Sequence, residues 1–214
     1  MTKEDRELFC TIAATLMTPA DEVVLADLSQ EGLRSFLMDC FGRREGRSAM
    51  LRRLFDHVDR GGLEGLQEAY DRLFGLTGDR QVSLVESTYK PWTGDNRCGM
   101  VFANSGGLIM GDAAVHLLDL YDGLSLDLPD RYRSTPDHLV VELEFLALLY
   151  RDGTIEQGRV FIEDHLDWVP DLREAAAEGD PDSFYTQAIA LIDLFLQDEK
   201  RNRRGHGHGT KNIH

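Results

Sequence analysis

"TPDHLVVELEFLALLY", residues 135–150, is the stretch whose reading decides the fold. From Leu139 to Tyr150 every side chain is apolar or aromatic except Glu142 and Glu144. Leu139, Leu143, Leu146 and Tyr150 make one helical stripe, and Val141, Phe145 and Leu148 make another. A helix apolar on most sides is central, with neighbours packed around it. Pro136 suits a first helical turn, which makes Thr135 the expected N-cap and places Asp137 where the helix dipole favours a negative charge. His138 and Glu142 stand four apart on one face, so Glu142 is expected to pair with His138 or with an arginine near the helix start, at the surface end of the helix. Glu144 points to nearly the opposite side. A lone buried carboxylate is costly unless paired. The residues alone leave three readings of Asp137, His138 and Glu142: a cap with an ion pair, an acid–base set, or a binding edge. No nucleophile or metal site in the sequence supports the acid–base reading.

Working outward, helical spacing recurs and strand signals are scarce. Leu8 to Met17, Leu33 to Phe41, Met50 to Val58 and Leu63 to Phe74 each carry an apolar stripe, closed by Pro19, Gly42, Gly61–Gly62 and Gly75 respectively. Residues 81–107 are irregular and broken by Pro91, Gly94, Gly99, Gly106 and Gly107. Long irregular loops in compact domains tend to be functional, and this one carries Tyr89 and Trp92, aromatics of the kind enriched in binding surfaces. Helical pattern returns over 111–124. Thr154 and Gln157 have capping-box spacing, and Asp180 with Pro181 is expected to open the last helix. The expectation is one all-α domain over residues 1–199, a bundle of about eight to ten helices with an irregular central loop. A flexible basic, His-containing tail over 200–214 follows it.

Bulk chemistry narrows the function. The 214 residues carry a net charge of −15, and residues 1–199 hold 38 acids against 18 bases. Such a body repels nucleic acid and anionic membrane and attracts basic partners. Apolar runs are interrupted well before the roughly 18 residues of a membrane span, and "MTKEDRELFC" lacks the order of a signal peptide, so a cytoplasmic protein is expected. Cys10, Cys40 and Cys98 are widely spaced, neither a disulfide framework nor a zinc site. No phosphate-binding glycine motif is present, which argues against a nucleotide enzyme. His206, His208 and His214 in the tail leave weak metal binding as an alternative.

"PDHLVVELEFLALL" (136–149) resembles the signature of the TorD/DmsD/NarJ family of molybdoenzyme maturation chaperones. "EAYDRLFG" (68–75), "GLIMGDAAVHLLDLYDGLSLDLPD" (107–130) and "FIEDHLDWVPDL" (161–172) are similar to further family stretches, in the same order. The Pro-rich segment that many members carry after the Tyr-x-x-Leu-Phe helix is reduced here to Pro91. The resemblance implies an all-helical, non-enzymatic protein without a cofactor of its own, monomeric or dimeric. It implies binding of the twin-arginine signal peptide, or the N-terminal region, of an apo-molybdoenzyme catalytic subunit, with help in molybdenum-cofactor insertion before export. Guanine-nucleotide binding, reported for some members, is a further alternative. The site residues it suggests are Pro136, Asp137, His138 and Glu142, with Tyr89 and Trp92 from the loop. The chemistry agrees: paired guanidiniums followed by an apolar run call for carboxylates beside a greasy groove, and residues 112–144 hold eight acids against Arg131 and Arg133.

Overall fold

The computed structural model describes every residue except 44, 76–80, 96, 102, 104 and 207–214, with the backbone alone for 202–206. Among the described residues the long regular elements are all α-helices: α1 (Lys3–Leu16), α2 (Glu22–Leu28), α3 (Glu31–Phe41), α4 (Glu45–Phe74), α5 (Asp112–Gly123), α6 (Leu139–Asp152), α7 (Ile155–His165), α8 (Val169–Gly179) and α9 (Phe184–His206). The all-α expectation holds, and the helix count falls within the expected range. None of these helices is long and apolar enough to cross a membrane.

α6 is the central element. Nine of its fourteen residues are buried, including every member of the two expected stripes except Leu148, which is partly buried. α1 packs along it on one side and α7 on another, while α9 lies against α4 and α8. Phe9, at 5.0 Å from Phe41 and 4.5 Å from Phe195, ties α1 to α3 and α9. Gly158 of α7 sits against the Tyr150 ring of α6; a Cβ there would lie 2.6 Å from the ring, so only glycine allows the two helices to approach this closely. Below them Arg6, nearly buried, pairs with Glu199 at 2.8 Å, and Arg159 reaches the same carboxylate at 3.3 Å.

Local signals mostly fall where the sequence puts them. Thr154 and Gln157 form the expected capping box of α7. The two stripes on either side of Gly61–Gly62 form the two halves of α4, which breaks at Gly62 with φ +56°. Three boundaries differ. α6 begins at Leu139, with His138 rather than Thr135 as its N-cap, so Pro136 and Asp137 precede the helix. Asp180 closes α8 instead of opening α9, and the Ser183 hydroxyl takes the capping role by accepting from Thr186 N at 3.1 Å. α2, with no long apolar stripe, was not visible as a helix; Asp21 caps it through Val24 N at 2.8 Å. The helical backbone of α9 runs on to His206. The rest of the expected tail, with His208 and His214, lies outside the described residues.

The central loop is stitched to its surroundings. Thr88 C=O accepts from Gly107 N at 2.9 Å, Ser105 C=O from Trp92 N at 3.2 Å and Ala103 C=O from Thr93 N at 3.0 Å. The start of α5 closes onto the same segment. Trp92 C=O accepts from Asp112 N at 2.8 Å, and the Asp112 carboxylate accepts from Thr93 Oγ1 and Gly94 N at 2.7 and 2.9 Å. Gly111 packs so closely that a Cβ would meet the Trp92 carbonyl oxygen at 2.8 Å.

Candidate functional site

The Pro-Asp-His segment is joined to the first turn of the loop. Val85 and His138 form an isolated antiparallel bridge. Leu139 N donates to Leu84 C=O at 2.8 Å and Glu86 N to Asp137 C=O at 2.9 Å. The Asp137 carboxylate then accepts from Ser87 N at 2.8 Å and from the Ser87 hydroxyl. Asp137 has no exposed surface, and neither has Glu142. Both serve as anchors of the protein's interior.

Glu142 does not pair with His138. One helical turn into α6, its Oε2 accepts from the Trp168 indole at 3.2 Å. Glu86 lies near enough to act on its charge, and is itself fully buried. Burial first, and then the neighbouring Glu86, push the Glu142 carboxyl well above the usual carboxylate range, which favours its protonated form. The expected partner, His138, instead accepts from Val140 N at 3.2 Å through Nδ1 and lies 4.9 Å from the Tyr132 ring. Desolvation, with Arg131 nearby, lowers its pKa to about 4. His138 is therefore a neutral cap.

Glu86 extends this interior set in two directions. Lys90 Nζ reaches its Oε1 at 2.5 Å and Asp167 at 2.6 Å. His165 Nδ1 meets its Oε2 at 3.1 Å, and His165 Nε2 meets His116 Nδ1 at 2.8 Å. Since His116 is exposed and Glu86 is not, the two imidazoles carry a hydrogen-bonded line from the surface to the buried carboxyls. Tyr89 stacks on Trp168 at 5.1 Å and donates to Ser83 C=O at 2.9 Å; Trp92 is half-buried. The structure thus brings Asp137, Glu142, His138 and Tyr89 around one interior network. Trp92 sits farther out, where the loop meets α5.

That network backs a surface groove of about 670 Å³ between α5 and α7. Phe145 and Leu149 of α6 reach it from beneath, and Leu120, Leu124, Val160 and Phe161 supply apolar walls. Leu124 is 53 % exposed and Val160 41 %. Asp119, Glu156 and Asp164 add carboxylates, and among the described residues no lysine or arginine lines the groove. His116 and His165 close one end. Chemically, such a groove takes an apolar segment carrying positive charge. Among the described residues no cluster of histidine, cysteine and acidic side chains could hold a metal ion.

Sequence reasoning passed over Glu86, Ser87, Lys90, His116 and His165. The stretches holding His116, His165 and Trp168 are among those that drew the family resemblance, but nothing in their spacing revealed that the two histidines touch across 49 positions.

A profile of the family described as nitrate reductase delta subunit matches residues 43–174. The chain belongs to this family. The match begins at the Arg43–Arg44 junction before α4 and runs into α8, so it contains the loop, the Pro-Asp-His segment and both groove walls. Over 107 residues the chain is 29 % identical to a chaperone protein TorD of Vibrio vulnificus strain YJ016, covering 44 % of this chain and 50 % of that protein. The TorD of strain CMCP6 gives the same identity and coverage. The chain thus spans about half the length of the curated relatives it matches.

Proposed function

We propose that this protein is a redox-enzyme maturation chaperone that binds a basic–apolar segment of an apo-molybdoenzyme, its twin-arginine signal peptide or N-terminal region. Bound there, the segment is withheld from export while the molybdenum cofactor is inserted. The observation that carries this reading is the α5–α7 groove, apolar in its walls, lined by three carboxylates and free of cationic side chains. Family membership and the similarity to proteins named TorD support it.

In this reading the residues of the Pro-Asp-His segment act from behind. Pro136, Asp137, His138 and Glu142, with Tyr89, hold the loop, Glu86 and His165 in place, and so fix the groove's histidine end. Trp92, where the loop meets α5, keeps the start of that wall against the loop. The client's guanidiniums meet the carboxylates, and its apolar run covers Leu124 and Val160.

The test is calorimetric titration of the full chain with synthetic twin-arginine leader peptides from several molybdoenzymes, at low and moderate salt. The expected result is saturable micromolar binding of one leader. Affinity should fall several-fold as salt rises from about 0.05 to 0.3 M, because the screening length shrinks from roughly 14 Å to roughly 6 Å over that range. Binding of no leader, or equal binding of a leader whose arginines are replaced by glutamine, overturns the proposal.

A further inference from the structure

The groove has two unlike ends. His116 and His165 touch at 2.8 Å, and Asp119 and Asp164 stand within a turn of them on α5 and α7. Neither of these two carboxylates has a charged partner among the described residues. From that contact α5 and α7 run on in opposite chain directions along the same groove. The far end is reached at Leu124 on one side and at Thr154 to Gln157, the first turn of α7, on the other, with Leu149 beneath. It is the greasier end, and its single carboxylate, Glu156, is already engaged.

From this asymmetry, and resting on the peptide-receptor reading above, we infer that the groove accepts a basic–apolar segment in one direction only. The guanidiniums sit between Asp119 and Asp164 beside the histidine pair, and the apolar residues that follow run toward Leu124, parallel to α5. The reverse placement would lay the apolar run against two unpaired carboxylates, removing water from them without compensation. It would leave the guanidiniums beside Leu124 with one carboxylate already in use. The wall formed by the eleven residues of α7 is about 16 Å long. That spans roughly five residues of extended chain or three turns of helix, enough for an arginine pair and the start of the run behind it.

His165 faces Glu86, and the one lysine nearby, Lys90, is tied to Glu86, Asp167 and the Asp164 carbonyl. The end therefore presents carboxylates to the groove while its cation points away.

Two experiments on the full chain test the direction. The first uses a synthetic peptide with two arginines followed by an apolar run, carrying a photoreactive benzoylphenylalanine before the arginines or at the end of the run. Mapped cross-links from the leading probe are expected near residues 116–119 and 164–165, and from the trailing probe near 120–124 and 154–160. The second compares surface variants. Asp119→Asn and Asp164→Asn should each weaken binding roughly three- to tenfold, the scale of a charge-assisted contact at a half-exposed site, and Glu156→Gln less than about twofold. Exchanged cross-link positions, cross-links independent of probe position, or Glu156→Gln as the most damaging change would overturn the direction while leaving the receptor intact. Absence of saturable binding to the unmodified protein would instead overturn the receptor reading, and the direction with it.

Discussion

Glu142 and His138 are four residues apart and behave in opposite ways for one reason: each is held in its uncharged form by burial. For Glu142 the folded pKa is raised, so the folded chain keeps a proton that the unfolded chain releases above its ordinary value of about 4.3. Stability therefore falls as pH rises from there. Glu142→Gln carries an amide in place of the protonated carboxyl and can still donate to Glu86 and accept from Trp168. Its melting temperature at pH 8 is expected to match or exceed that of the wild type, with the difference shrinking toward pH 4.5; thermal melts across that range decide it. For His138 the folded pKa is lowered to about 4 from an ordinary value near 6.5. Between those limits the unfolded chain takes up a proton that the folded chain refuses, so stability declines as pH falls through the window. Protonation would also remove the Nδ1 lone pair that caps α6. His138→Asn, which keeps a capping oxygen, should flatten the decline between pH 6.5 and 4 in the same melts.

At the scale of elements, two contacts set how the groove is built. Asp137 holds the 84–88 turn through the Ser87 amide and hydroxyl. Removing the carboxylate in Asp137→Ala leaves buried donors unpaired and is expected to cost about 1–3 kcal/mol. Faster amide exchange should appear at Ser87 ahead of the core of α6; uniform acceleration across the chain would contradict this local role. Gly158 sets the spacing of α6 and α7. Tyr150 is fully buried and cannot swing aside, so Gly158→Ala should destabilise by about 1–3 kcal/mol, despite the better helix propensity of alanine. A variant as stable as the wild type in urea would show that the helices can separate freely.

The helices were legible in the sequence because their apolar residues repeat with the helical period and their breaks fall at glycine. Gly62 and the capping box at Thr154 are clear instances. The start of α6 was misplaced by three residues because Pro136 and Asp137 are good helix openers by local chemistry. Here the backbone bonds from 84–86 to 137–139 outweigh that preference by holding His138 in extended backbone opposite Val85. The partner of Glu142 was unreadable for a related reason: Trp168 and Glu86 come to it from 26 and 56 positions away, and the local sequence offered only His138 or an arginine near the helix start. The groove was not readable from the acid excess of residues 112–144, since only Asp119 of those eight acids lines it while Asp137 and Glu142 are buried. Its second wall, α7, could be assigned only once the helices were packed.

At the scale of the whole molecule, the backbone pairs between residues 88 and 107 fasten the central loop at its neck, just before α5 begins. A loop cinched in this way transmits little of its own shape to the helices on either side. Insertions, deletions or replacements between Gly94 and Met100 need cost only a modest closure entropy, growing with the logarithm of length, and leave α5 where it is. The neck separates what must stay fixed from what is free to drift. Changes in this outer arc would alter the surface beyond the neck while the scaffold beneath keeps its geometry.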